Sequence, residues 1–324
     1  MRILVVGAGA TGGYFGAQLA AAGRDVTFLV RPGRAAALRE GGLVVRSPRG
    51  DVRVGRPRLV TADELRADGP RAEGPEDAKG ADRGGAYDLV LLGVKAYGLD
   101  GAIEDMAPAV GRDTMILPML NGMRHMDVLD QRFGAAAVLG GACYVATTLA
   151  PDGSIHQLKD MQQLLFGDRQ EPGSERIHAV EAALRDAGFS VRLLADPVAA
   201  MWVKWVTLAS LGAITCLMRG AIGEVVAAPR GEEFARGVVD ECLAVAEASG
   251  SPLTDARKAE VYGAMTEHGA PTTSSMYRDL RAGNRVEADQ IVGDMVERGA
   301  ALGVATPLLS VAYTHLGVYQ ASLA

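Results

Sequence analysis

Aromatic residues make up only 5% of the 324 residues, while Ala, Gly and Arg are plentiful, a pattern of GC-rich coding more than of function. Three cysteines, Cys143, Cys216 and Cys242, are widely spaced and odd in number, so neither a disulfide framework nor a zinc pattern follows from them. They fit small buried residues in a reducing compartment, and no metal is expected. Positive charge is not in excess either. The net charge of −6 provides no attraction to polyanions, so a nucleic-acid role has no support. The longest apolar run, residues 205–218, falls short of the ~20 residues that span a bilayer. The opening MRILVVGAG has no charged leader followed by an apolar stretch and a cleavage site. A soluble cytoplasmic protein is the expectation, with no membrane or nucleic-acid partner.

What is present is a 48% hydrophobic, 22% charged chain, long enough for two domains, each with its own core. Residues 2–6 (RILVV) read as a buried parallel strand, residues 12–22 as an Ala-rich helix closed by Gly23, and Val26–Val30 as the next strand. Further strands are expected at Leu89–Val94, Met115–Pro118, Ala137–Gly140, Gln163–Phe166 and Val191–Leu194, with a helix over 177–187. This alternation predicts an α/β fold, a Rossmann-type doubly wound and mostly parallel sheet with helices on both faces. Most of 62–87, dense in Gly, Pro and charge, reads as an exposed loop, either a tolerated insertion or a lid. Beyond Asp196-Pro197 helical periodicity takes over, with long helices near 230–250 and 285–302. The domains are placed at 1–195 (nucleotide-binding, Rossmann-type) and 196–324 (mainly helical, substrate and catalytic).

Gly7-Ala8-Gly9-Ala10-Thr11-Gly12 matches G-x-G-x-x-G between a strand and a helix. Gly7 permits the tight turn, Gly9 lets backbone approach a pyrophosphate, and Gly12 allows close helix–strand packing. The helix N-terminus offers N–H groups to the anion. At the end of the second strand stands Arg31, with Arg34 close behind and no acid until Glu40. A carboxylate there would select NAD; a guanidinium suits a 2′-phosphate, so NADPH/NADP is the expected cofactor, unless Arg31 is merely a solvated loop residue. Lys95, after the strand Leu89–Val94, either adds charge near that phosphate or is a surface lysine. Asn121-Gly122 either places an amide beside the nicotinamide or is simply a turn.

In the second domain Lys204 is the single charge in an apolar helix, between Trp202 and Trp205. Its ammonium must snorkel to solvent or line a cleft as a proton donor. Ser274 or Ser275 can cap a helix beginning near Met276, and Glu287 can lie on that helix's wet face or face a ligand.

Taken together, the glycine loop, Val94-Lys95-Ala96, Asn121-Gly122-Met123, Trp202-Val203-Lys204, Ser274-Ser275-Met276 and a glutamate twelve residues beyond the second serine resemble the ketopantoate reductase (2-dehydropantoate 2-reductase) family over nearly the whole chain. The resemblance implies catalysis in a cleft between an α/β and a helical domain. Lys204 would be the general acid, and Glu287 would bind and orient the substrate. Ser275 would hold its carboxylate or hydroxyl, and Asn121 would sit near nicotinamide and substrate. Arg31 and Lys95 would meet the cofactor phosphate, with Gly7, Ala8, Gly9, Ala10, Thr11 and Gly12 forming its cradle and Asn121 and Glu287 completing the cofactor side. The partner is a small-molecule keto acid, and a homodimer is compatible with the sequence.

Three positions depart from the family pattern. Leu208, Gly212 and Ile222 stand where asparagines are usual, removing amides that would bond a polyhydroxylated acid. The expected reaction is NADPH-dependent reduction of a 2-keto acid, 2-dehydropantoate to pantoate. The alternatives are a related oxidoreductase acting on a less polar carbonyl or hydroxy compound, and a regulatory protein that binds NADPH without turnover.

Overall fold

Short aliphatic runs at the start of the chain pair in parallel, and everything in the first half is arranged around them. The computed structural model describes residues 1–67 and 87–323. They form two units, one of Met1–Leu120 with His125–Val198 and one of Asn121–Arg124 with Ala199–Ala324.

The first unit runs β1 (Arg2–Val6), α1 (Ala10–Ala21), β2 (Asp25–Leu29), α2 (Pro32–Gly41), β3 (Leu43–Arg46), β4 (Val52–Val54), β5 (Arg58–Val60) and α3 (Ala62–Ala67). It continues with β6 (Leu89–Leu92), α4 (Leu99–Met106), β7 (Met115–Pro118), α5 (Arg124–Phe133), β8 (Gly140–Leu149), β9 (Ile155–Gly167), α6 (Glu175–Leu184) and β10 (Ser190–Leu193). One sheet, in the order β5-β2-β1-β6-β7, is parallel throughout, as expected of buried strands such as LVLL.

A second five-stranded sheet departs from the expected single sheet. The 13-residue β9 is its spine. Its first residues pair in parallel with β3 (Val45 with Ile155), Gln163–Phe166 pair in parallel with β10, and its other edge pairs antiparallel with β8. Helix α1 packs against β1 and β2 of the first sheet and against β3, β4, β8 and β9 of the second. One face of the parallel sheet is thus covered by α1 backed by a sheet, where a layer of helices alone was expected. This is why α1 is apolar nearly all round.

Other expectations are corrected in detail. Ala137–Gly140 supplies only a bridge from Val138 to Ile116, and the strand proper starts at Gly140. Strands β3, β4 and β5, rich in Arg, escaped notice because they are short and one face carries charge. Residues 62–67 are helical, whereas the loop reading of 68–86 lies outside the described residues.

The second unit consists of α7 (Pro197–Met218), α8 (Ile222–Ala227), α9 (Gly231–Ala248), α10 (Asp255–Met265), α11 (Ser275–Arg281), α12 (Asp294–Ala301) and α13 (Pro307–Ala321). By length and composition α7 could cross a bilayer, but two thirds of its most apolar stretch is buried inside the protein, the pattern of a core helix. The long helix expected over 285–302 starts later and is irregular. Asp289–Gly293 form a π turn, with the Asp294 N–H reaching back five residues to the Asp289 carbonyl, and α12 follows directly. The three cysteines are buried and form no disulfide with one another, and burial pushes the Cys216 and Cys242 thiols up to about 12.

Candidate active site

The glycines of the G-x-G-x-x-G stretch, which leads from the end of β1 into the first turn of α1, are there for separate reasons. Gly7 has φ of +92°, a conformation that L side chains rarely adopt. A Cβ on Gly12 would lie 2.2 Å from the Gly7 carbonyl oxygen and 3.3 Å from that of Gly93, so only a bare Cα fits. Gly9 is different. It is the N-cap of α1, no side chain caps the helix, and a Cβ there would meet nothing within 4 Å. The protein therefore leaves space in front of uncapped N–H groups at the positive end of a 12-residue helix, a cradle that fits a pyrophosphate and that a methyl group would occupy. Gly93, at the carboxyl end of β6, belongs to the same construction, since its own Cβ would lie 2.6 Å from the Gly12 Cα. Sequence reasoning passed over it, although a glycine closing an apolar strand is a usable signal.

Arg31 is exposed at the N-cap of α2, where β2 ends beside β1; its carbonyl accepts the Ala35 N–H, and its side chain makes no hydrogen bond or ion pair with any described residue. Arg34 is built in. Its Nε donates to the Ala8 carbonyl at 3.2 Å and an Nη to the Gly153 carbonyl at 3.0 Å, and burial lowers its pKa. The two arginines thus divide into one available to a ligand and one bracing the glycine loop. Lys95 is exposed just past β6, the strand next to β1, at the same end of the sheet.

In the second unit Lys204 is 9% exposed, so it is not a solvated side chain. Its neighbours Trp202 and Trp205 pack with ring centroids 4.8 Å apart. Trp205 is fully buried, and its Nε1–H donates to the Ile291 carbonyl in the π turn at 2.9 Å. Glu287 immediately precedes this helical segment, its carbonyl accepting the Ile291 N–H at 3.1 Å; α11 has ended at Arg281, so Glu287 is not on that helix's wet face. From the same turn the Gln290 side chain donates through Nε2 to the Asn121 carbonyl at 3.2 Å. Lys204, Glu287 and Asn121, distant in sequence, are therefore tied by immediate neighbours to one turn.

Ser275 is anchored elsewhere. Ser274, not Ser275, caps α11, its hydroxyl accepting the Tyr277 N–H at 2.9 Å and lying 2.9 Å from the Thr215 hydroxyl. Ser275 is the exposed first residue of the helix. A Cβ at Gly212 would lie 2.6 Å from the Met276 methyl group. The serine pair thus docks two or more turns along α7 from Lys204, roughly 12 Å at 1.5 Å per residue. Leu208 is half-buried on that same face, and Ile222 is fully buried, its N–H bonded to the Thr272 carbonyl.

A family model described as ketopantoate reductase PanE/ApbA matches residues 3–171, and one for the C-terminal part of the same family matches residues 196–320. The chain is 33% identical over 321 residues to the uncharacterized oxidoreductase YkpB of Bacillus subtilis (strain 168), covering 99% of both chains. The crystal structure of 2-dehydropantoate 2-reductase from Geobacter metallireducens GS-15 superposes with a TM-score of 0.82 at 27% identity, covering 98% of this chain and 99% of that one. The ternary structure of D-mandelate dehydrogenase with NADH and anilino(oxo)acetate, at 20% identity, shares the fold with a TM-score of 0.81 over 100% of this chain and 99% of that one. The chain belongs to the ketopantoate reductase family of oxidoreductases.

Proposed function

We propose that the protein is an NADPH-dependent reductase converting a 2-keto acid to a 2-hydroxy acid, with 2-dehydropantoate as substrate and pantoate, for pantothenate synthesis, as product. The observation that carries the reading is a buried lysine, Lys204, on a helix bonded through Trp205 to the turn that follows Glu287 and holds Asn121. The glycine loop and the first helix turn would hold the pyrophosphate, and Arg31 with Lys95 the 2′-phosphate. The bound nicotinamide supplies the hydride. Lys204 gives a proton to the keto oxygen as charge develops there, and its ammonium stabilises that charge in surroundings poor in water. Glu287 accepts hydrogen bonds from substrate hydroxyls, Ser275 donates to the carboxylate, and the Asn121 amide orients the reacting groups.

A second reading has specific support. Leu208, Gly212 with Met276 packed over it, and the buried Ile222 give α7 and α8 apolar positions, which favour a keto acid with a less hydroxylated side chain. Steady-state rates with NADPH and with NADH across 2-dehydropantoate and 2-keto acids bearing alkyl or aryl side chains separate the two. The highest kcat/KM is expected for 2-dehydropantoate with NADPH. A wide margin for an unhydroxylated keto acid selects the second reading. NADPH binding without oxidation by any keto acid reduces the protein to a cofactor-binding regulator.

A further inference from the structure

Asn121, Gly122 and Met123 form a turn that rests on the π turn at Asp289–Gly293, and the fit is close on both sides. Gly122 has φ of +81°, and a Cβ there would lie 2.5 Å from the Gln290 carbonyl oxygen. The Gln290 side chain, itself only 5% exposed, donates to the Asn121 carbonyl at 3.2 Å. One residue therefore meets this turn twice, once through its backbone against Gly122 and once through its amide against Asn121. The π turn is in turn pinned from two other helices. Trp205 of α7 bonds the Ile291 carbonyl, and Tyr313 of α13 donates to Asp289 at 2.8 Å while its ring lies 2.7 Å from where a Cβ on Gly293 would be.

The wide turn has a geometric purpose. Neighbouring residues in an α-helix are rotated by about 100° around the axis, from 3.6 residues per turn. Removing the extra residue would turn Gln290 and everything before it by that amount relative to α12. Gln290 could then not face Asn121 while α12 keeps its place. Single π turns inside helices recur at functional sites, where they redirect groups in this way.

We infer that Gln290 is a positioning residue for the reaction: presented by the π turn, it fixes the Asn121-Gly122 turn relative to the helix that carries Lys204. The inference rests on the reading of Asn121 and Lys204 as members of the reactive site. Gln290 itself need touch neither substrate nor cofactor.

The test uses the full-length protein with Gln290→Met, which keeps side-chain length but removes the donor, and with Gln290→Glu, which keeps the size but sets an acceptor against an acceptor. Amide hydrogen exchange over residues 119–124 reads the turn directly. Loss of one part-buried hydrogen bond should speed it about 5- to 10-fold, while exchange in β1 and α1 stays unchanged. NADPH affinity should remain within about twofold. With the keto acid that the unaltered enzyme uses best, kcat should fall about 10- to 100-fold, the cost of a small misplacement of reacting groups, with KM for that acid changing far less. The isotope effect with NADPH deuterated at the transferred position should rise, because a misaligned hydride transfer becomes the slow step. A merely structural role would lower the melting temperature and leave the isotope effect where it was. Unchanged exchange at 119–124 in either folded variant overturns the positioning role, whatever the enzyme reduces. Faster exchange with unaltered kcat and isotope effect also overturns it. If the unaltered protein reduces no keto acid, the proposed function fails, and the exchange data still report separately on the tie between Gln290 and Asn121.

Discussion

A methyl group placed on Gly9 and one placed on Gly12 should have opposite consequences, although the residues are only three apart, at the N-cap and in the first turn of α1. At Gly12 the added Cβ would lie 2.2 Å from the Gly7 carbonyl oxygen, a backbone atom that cannot rotate away, so the loop or α1 must move by nearly an ångström. Overpacking of this kind costs ~1–3 kcal/mol. In a unit of this size each kcal/mol lowers the melting temperature by about 2–4 °C, so Gly12→Ala should melt roughly 2–12 °C lower. At Gly9 the Cβ meets nothing within 4 Å, and the residue's φ of −88° is open to alanine. The loss of a good N-cap type and the gain from a stiffer unfolded chain are each about 1 kcal/mol or less and opposite in sign, so Gly9→Ala should melt close to the unaltered protein. Its methyl group, however, would stand where the pyrophosphate approaches. Forfeiting one charge-assisted hydrogen bond there costs ~1.5–3 kcal/mol, about 10- to 150-fold in affinity. Thermal denaturation without ligand and titration with NADPH read the two effects independently. A Gly9→Ala protein that melts normally and binds NADPH as tightly as before would refute the assignment of this space to the cofactor.

Arg31→Ala should remove most of a preference for NADPH over NADH of ~1–3 kcal/mol, seen as kcat/KM converging for the two cofactors. Arg34→Met should instead weaken both cofactors alike, because Arg34 braces the Ala8 carbonyl; a change confined to NADPH would make Arg34 a phosphate ligand. Lys204→Met keeps length and apolar fit, so folding and NADPH binding should persist while kcat falls ~10²–10⁴-fold, and near-normal turnover would leave the proton donor unidentified. Glu287→Gln should mainly raise KM for the keto acid, and an unchanged KM would remove it from substrate binding.

The sequence by itself determined the parallel strands β1, β2, β6 and β7 and the glycine stretch that leads from β1 into α1. A strand–glycine–helix pattern is local, and its steric needs are met by residues within one short stretch and the neighbouring strand end. It also showed Lys204 as a lone charge in an apolar helix, because helical periodicity is local too. Tertiary structure alone decided three things. The second sheet depends on β9 pairing with β3 more than a hundred residues earlier, in strands too short and too charged on one face to stand out. The separate duties of Arg31 and Arg34 depend on where the β8–β9 turn places the Gly153 carbonyl. The linking of Lys204, Glu287 and Asn121 depends on a π turn and on Gln290 within it, and no local pattern marks either, because a helix gains an extra residue in one turn only when packing from several sides holds it open.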